Sequence, residues 1–160
     1  MAAILACAFF LFAGAAGTAC AEARLPEASD LAADGVAARA AQVPILLFFN
    51  RVGCPYCERA LREYLAPMQR DTAYSGRVVF RQVEIDQPNR LVDFGGRATT
   101  HREFASHYKI RLTPTIWFVD GEGNALAKPI VGLPTIDFYG AYLDQAIADS
   151  LAKLRASAAK

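Results

Sequence analysis

Two cysteines stand two residues apart in Cys54-Pro55-Tyr56-Cys57, between an apolar run and a helix-prone one. Sulfurs at this spacing can form a crosslink, bind a metal, or cycle between dithiol and disulfide. A crosslink gains little over so short a loop, because the chain entropy it removes grows with the loop closed. A structural zinc site needs two further ligands, and the remaining candidates, His101 and His107, lie far along the chain. Redox chemistry asks for one exposed sulfur and one shielded. At a helix start, backbone N–H groups and the positive end of the helix dipole favour a thiolate. Cys54 is therefore expected to have a lowered pKa and to attack a substrate disulfide as the nucleophile. Cys57, one turn into the helix and facing inward, is expected to resolve the mixed disulfide. Pro55 is expected to stiffen the turn, and Tyr56 to form a solvent-facing lip that touches substrate. A zinc site and an inert crosslink stay open as alternatives.

The flanking periodicity indicates what positions this pair. Residues 31–42 are Ala-rich and helix-prone, with Asp30 available as a cap. Residues 43–50, VPILLFFN, form a continuous apolar run of the length of a strand buried on both faces. A helix is expected over 57–70, with Pro67 bending or ending it. A second strand is expected over 77–85, a loop over 86–98, and a helix capped by Thr99 or Thr100 that runs to 109. A third strand over 115–119 leads through the turn 121–124 into a return strand over 127–131. The last helix, over 135–154, should bury a face that includes Phe138, Tyr142, Ile147, Leu151 and Leu154. Strands separated by helices imply parallel pairing, and the closing hairpin adds an antiparallel edge. The expected fold class is α/β, one mixed sheet with helices on both faces.

The chain has 160 residues, room for one ordinary domain. Residues 1–21 carry no charged side chain, and the small-x-small triplet Ala19-Cys20-Ala21 suits signal peptidase. Residues 1–21 are therefore expected to be a secretory signal peptide and 22–160 the mature domain. Lipid anchoring at Cys20 is the alternative. A formal net charge of +1 gives no electrostatic signature of nucleic-acid or membrane-surface binding. Cys7 and Cys20 would leave with the signal, so the exported domain keeps only the Cys54/Cys57 pair. In a secreted protein that retains this pair alone, the pair is expected to serve chemistry.

From about residue 31 to 155 the chain resembles the thioredoxin superfamily. Beyond the two cysteines, the resemblance rests on Ile85-Asp86-Gln87, on Tyr108 to Thr115 (YKIRLTPT) ahead of an apolar strand, and on Val131-Gly132. It implies a thioredoxin-like fold and a cis Thr113–Pro114 bond opposite the cysteines. In that reading Thr113 presents its edge to an extended substrate and Gly132 lies in the substrate groove. Some positions depart from the pattern. Phe48 stands where thioredoxins place a buried Asp that helps move the resolving thiol's proton. Glu84 is the nearest substitute, or else an ordinary exposed strand residue. Pro55-Tyr56 is the glutaredoxin dipeptide, and a Thr before the cis-proline resembles periplasmic disulfide isomerases. Residues 88–103 look like an insertion able to shape partner choice, or a solvated loop. Arg51, Arg59 and Arg62 flank the site.

These features together lead to an enzyme: a periplasmic thiol–disulfide oxidoreductase acting on protein substrates, most naturally as a reductase. It needs no cofactor and draws electrons from a membrane or periplasmic donor. The chain is expected to be a monomer without nucleic-acid partners. A glutathione-dependent reductase, and a non-catalytic binding or metallochaperone module, are the alternatives.

Overall fold

The computed structural model describes residues 23–158. The expected signal peptide and Cys20 therefore lie outside the described residues. Helix α1 (Leu31–Ala41) starts where the Asp30 carboxylate accepts the Ala33 N–H at 2.9 Å. Strand β1 (Ile45–Asn50) follows, with every residue buried, as a strand covered on both faces requires. The turn through Gly53 leads into α2 (Pro55–Ala60), which continues through a π-helical turn (Leu61–Leu65) into α3 (Ala66–Arg70). Pro67 neither ends nor breaks this helix. The π turn, in which the Ala66 N–H reaches back to the Leu61 carbonyl, absorbs the register change just ahead of the proline.

Strand β2 (Val79–Glu84) lies parallel to β1, pairing Ile45 with Val79 and Asn50 with Glu84. Strand β5 (Thr115–Val119) flanks β1 on its other side, and β6 (Ile130–Val131) forms the edge, giving the order β2-β1-β5-β6. The expected mixed sheet flanked by helices is present, with one correction. Although a helix separates β5 from β2, β5 runs antiparallel to β1, pairing Phe49 with Thr115 and Ile45 with Val119. The intervening helix α4 (His101–His107) has 7 residues, about 10 Å of rise. It does not carry the chain back along the sheet, so β5 begins at the end where β1 and β2 finish.

The segment 86–98, expected as a loop, is instead half of a second small sheet. Strands β3 (Arg90–Val92) and β4 (Ala98–Thr100) pair antiparallel, Leu91 opposite Thr99. Leu91 is buried and Val92 donates its N–H to the Ser29 carbonyl, so the hairpin folds against the lead-in to α1. Thr100 then caps α4 in a capping box with Glu103. Asp93 holds the hairpin turn: Oδ1 accepts the N–H groups of Gly95 and Arg97 at 2.9 Å each, and Oδ2 accepts from Arg97 Nε at 3.0 Å. The Arg97 backbone N–H, aided by its guanidinium, holds the Asp93 carboxyl below the usual carboxylate range. A group depressed in the folded state adds stability above its unfolded value of about 3.9, and that stability disappears as pH falls through the lower native value. Asp93→Asn is therefore expected to be about 1 kcal/mol less stable than the parent at neutral pH. The two should converge in strong acid, as parallel urea titrations across pH will show.

The return strand is shorter than the expected 127–131. The last helix, α5 (Tyr139–Ala158), starts later than 135, after a 3₁₀ turn (Ile136–Phe138). Its buried face is Tyr139, Leu143, Ile147, Ser150 and Leu151, so Phe138 and Tyr142 point outward, at 60% and 47% exposure. At about 100° per residue, Tyr142 lies about 140° from Ile147 and about 180° from Leu151 around α5, so it cannot share their face, and Phe138 precedes the helix in the 3₁₀ turn. At the far end of the sheet, α1 crosses the 120–124 turn at Gly35. A Cβ on Gly35 would run into the Gly121 carbonyl, which also accepts from Arg39 Nη1 at 2.5 Å. Gly35→Ala is therefore expected to cost roughly 1–3 kcal/mol, measured by thermal unfolding.

Candidate active site

The site begins with how the chain leaves β1. Gly53 adopts φ +69°, a conformation open to glycine, and this swings Cys54 to the N-cap of α2. Pro55 occupies the first helical position, where its missing N–H leaves no bond unmade. Cys54 Sγ accepts the Cys57 N–H at 3.2 Å, and Sγ of Cys54 and Sγ of Cys57 are bonded, with Cα atoms 5.2 Å apart. Cys57 is 2% exposed, whereas Cys54 is half-buried. Pro55 is exposed, and Tyr56 is 66% exposed.

The opposite wall comes from the turn into β5. The Thr113–Pro114 peptide bond is cis, and the Thr115 hydroxyl donates to the Leu112 carbonyl at 2.8 Å across the turn. The Thr113 hydroxyl donates to Cys54 Sγ at 3.6 Å, and the Thr113 carbonyl lies 3.9 Å from the same sulfur. The Gly132 N–H donates to the Pro114 carbonyl at 2.7 Å, with Gly132 at φ +76°. Cys54, Thr113, Pro114 and Gly132 are thus linked from three separate stretches of chain, and the apolar residues next to them in the sequence, Val52, Leu112 and Val131, are exposed.

Behind Cys57 lies a cleft of about 90 Å³ bordered by Phe48, Asn50, Glu58, Gln82 and Glu84 among others. Phe48 is fully buried. Glu84 is half-buried in the cleft wall and accepts from Gln82 Nε2 at 3.5 Å, so it is not a simple exposed strand residue. Asn50 was not anticipated as a site residue. It is buried, and its Oδ1 has no hydrogen-bond partner. Its only sequence signal was a polar residue closing an otherwise apolar run.

The flanking cations divide. Arg59 binds Glu63 at 2.9 Å and Arg62 reaches the same carboxylate at 3.4 Å. The Arg59 hydrogen bond holds the Glu63 carboxyl below its ordinary range and raises Arg59. Both are therefore engaged along their own helix. Arg51 borders both the cleft behind Cys57 and a basic pocket with Arg102, Lys109 and Arg111. The histidines do not approach the cysteines' face as a pair. His101 is fully buried, its Nδ1 accepting the Glu84 N–H at 3.0 Å and its Nε2 2.8 Å from the Ala28 carbonyl. His107 lines a surface cavity beside Glu103 and Tyr108. Among the described residues no cluster of three or more His, Cys, Asp or Glu side chains is arranged to hold a metal.

Comparison with solved structures returns the same fold. Mitochondrial thioredoxin 3 from Saccharomyces cerevisiae, in its oxidised form, superposes with a TM-score of 0.53 at 15% identity, covering 78% of this chain and 94% of its own. A poplar thioredoxin h mutant gives 0.54 at 15%, covering 79% and 84%. Thioredoxin from Fasciola hepatica gives 0.52 at 15%, covering 78% and 97%. A comparison with curated protein sequences gives no match. A family model described as a thioredoxin-like domain matches residues 31–147. That span runs from the start of α1 into α5 and takes in both walls of the sulfur site, so the chain belongs to the thioredoxin-like domain family.

Proposed function

We propose that the protein is a thiol–disulfide oxidoreductase that reduces disulfides of exported proteins in the periplasm. The observation that carries this reading is the asymmetry of the pair: Cys54 is reachable at a helix head beside Thr113, and Cys57 is covered behind it. In the reduced protein, the helix N-terminus and the Thr113 hydroxyl favour the Cys54 thiolate over the thiol. That thiolate attacks one sulfur of the substrate disulfide, forms a Cys54–substrate bond and releases the other substrate sulfur as a thiolate. The Cys57 thiolate then attacks Cys54 Sγ, closes the Cys54–Cys57 bond and releases the second substrate sulfur. Two electrons pass to the substrate, and an external dithiol donor restores the pair. Pro55, Tyr56, Thr113 and Gly132 line the approach, and Val52, Leu112 and Val131 offer apolar contact. Residues 1–21 support export, with 22–160 as the working domain and lipid anchoring at Cys20 as the variant.

Equilibration in glutathione buffers, read by alkylation and mass, tests this reading. A reversible two-electron couple near the potential of thioredoxin is expected. A couple far more oxidising would overturn the reductase direction, and absence of any reversible couple would overturn the enzyme reading. Stoichiometric metal on the two thiols after purification would favour the binding module instead. The Pro55-Tyr56 dipeptide favours glutathione as a second reductant, and a stable glutathione adduct on Cys54 would identify it.

A further inference from the structure

We propose that the basic pocket beside Cys54 is a carboxylate-binding subsite that selects acidic substrate disulfides. The proposal rests on the thiol–disulfide reading above. The pocket, about 300 Å³, is lined by Arg51, Arg102, Lys109 and Arg111 together with Ile85 and Ser106, and no acidic side chain lines it. None of the four cations forms an ion pair among the described residues. Arg102 is held instead by a backbone acceptor, its Nη2 donating to the Asp86 carbonyl at 2.6 Å. Arg51 also borders the cleft behind Cys57 with Glu58 and Glu84, but among the described residues no carboxylate is paired with any of the four, unlike Arg59 and Arg62, which share Glu63.

Position gives the pocket its relevance. Arg51 precedes Cys54 by three residues, which places their Cα atoms within roughly 11 Å of each other. Arg111 precedes Thr113 by two residues, within roughly 7 Å, and Thr113 touches Cys54 Sγ. Each of the two stretches that build the sulfur site thus carries a cation two or three residues from a residue of that site. The C-terminal end of α4 would repel an anion if its carbonyls were open to the pocket. They are taken: Lys109 N–H donates to the Ser106 carbonyl at 3.0 Å and Ile110 N–H to the Ala105 carbonyl at 2.9 Å. Lys109 makes this closing turn at φ +57°, and the turn brings it to the same pocket as Arg102 of α4. Arginine forks suit carboxylates in particular, since two parallel N–H donors match two oxygens.

The test uses four disulfides: a peptide disulfide flanked by Glu, the same peptide with Gln, the same with Lys, and oxidised glutathione. Rates of reduction by the full chain are measured at low and high ionic strength. The Glu peptide is expected to exceed the Lys peptide by about tenfold in kcat/KM at low salt, with the gap narrowing as salt rises. In the Lys109→Glu/Arg111→Glu double variant the order of the Glu and Lys peptides should invert. The ratio is taken within each protein, so any effect of the substitutions on the thiols cancels. An acidic preference confined to oxidised glutathione would assign the pocket to a small carboxylate-bearing thiol, and one shared with the Glu peptide to protein segments; both support a carboxylate subsite. Equal rates for the Glu and Lys peptides with no preference for oxidised glutathione, or a ratio unmoved in the double variant, would overturn it. If the parent protein exchanges with none of the four, the thiol–disulfide reading falls and the subsite with it.

Discussion

Cys57→Ser protein, reduced and then offered a disulfide substrate, is expected to retain it as a covalent adduct on Cys54, approaching one per chain, while Cys54→Ser loses exchange down to the uncatalysed rate. The difference follows from where each sulfur sits. Cys54 carries the exposed edge of the pair and receives the Thr113 hydroxyl, so a substrate disulfide can reach it. Cys57 is 2% exposed, and its sulfur is bonded to Cys54. Serine at 57 leaves the first attack intact and removes the only internal sulfur able to release the product. Serine at 54 removes the reachable thiolate altogether, since a hydroxyl does not attack disulfides under these conditions. Non-reducing gels and intact mass of each variant after incubation settle the assignment. Trapping by Cys54→Ser in place of Cys57→Ser would reverse the roles assigned to the two residues.

His101→Ala is expected to cost about 3–5 kcal/mol, out of a total stability on the order of 5–15 kcal/mol. The ring is fully buried and bridges separate parts of the fold. Because Nδ1 accepts the Glu84 N–H, the hydrogen lies on Nε2, which donates to the Ala28 carbonyl. Removing the ring leaves a buried donor at the end of β2 and a buried acceptor in the lead-in to α1, and opens a cavity beneath α4. Thermal unfolding should move down by about 10–15 °C for a domain of this size. A shift of only a degree or two would mean that the ring is replaceable by solvent and that the hairpin and α4 are held by other contacts. The Cys54–Cys57 disulfide should still form in this variant, because neither sulfur touches the ring.

The segment 86–103, which His101 anchors, has little local signal of its structure. Arg90-Leu91-Val92 is too short to give a period-two signal, and Phe94-Gly95-Gly96-Arg97 has the composition of a loop. What makes it a hairpin is the Asp93 carboxylate collecting the turn's N–H groups and Leu91 finding cover, together with the Val92–Ser29 bond across 63 residues. Phe138 and Tyr142 are as apolar in type as Ile147 and Leu151, and residue type alone does not say which side of the last helix is covered. Tyr142 stands about 140° from Ile147 and about 180° from Leu151 around the helix, and packing against the sheet covers the face of Leu143, Ile147 and Leu151.

By itself, the sequence determined the strand–Cys54-Pro55-Tyr56-Cys57–helix unit, the fully buried strand before it and the capped start of α4. These depend on interactions among residues a few positions apart: hydrophobic runs, N-caps, and the placement of proline and glycine. Tertiary structure alone decided the reversed direction of β5, the meeting of Thr113 and Gly132 with Cys54, the cleft behind Cys57, and the gathering of Arg51, Arg102, Lys109 and Arg111. Each of these joins residues remote in the chain, and the energy that joins them comes from packing and charge across space, which local periodicity does not encode.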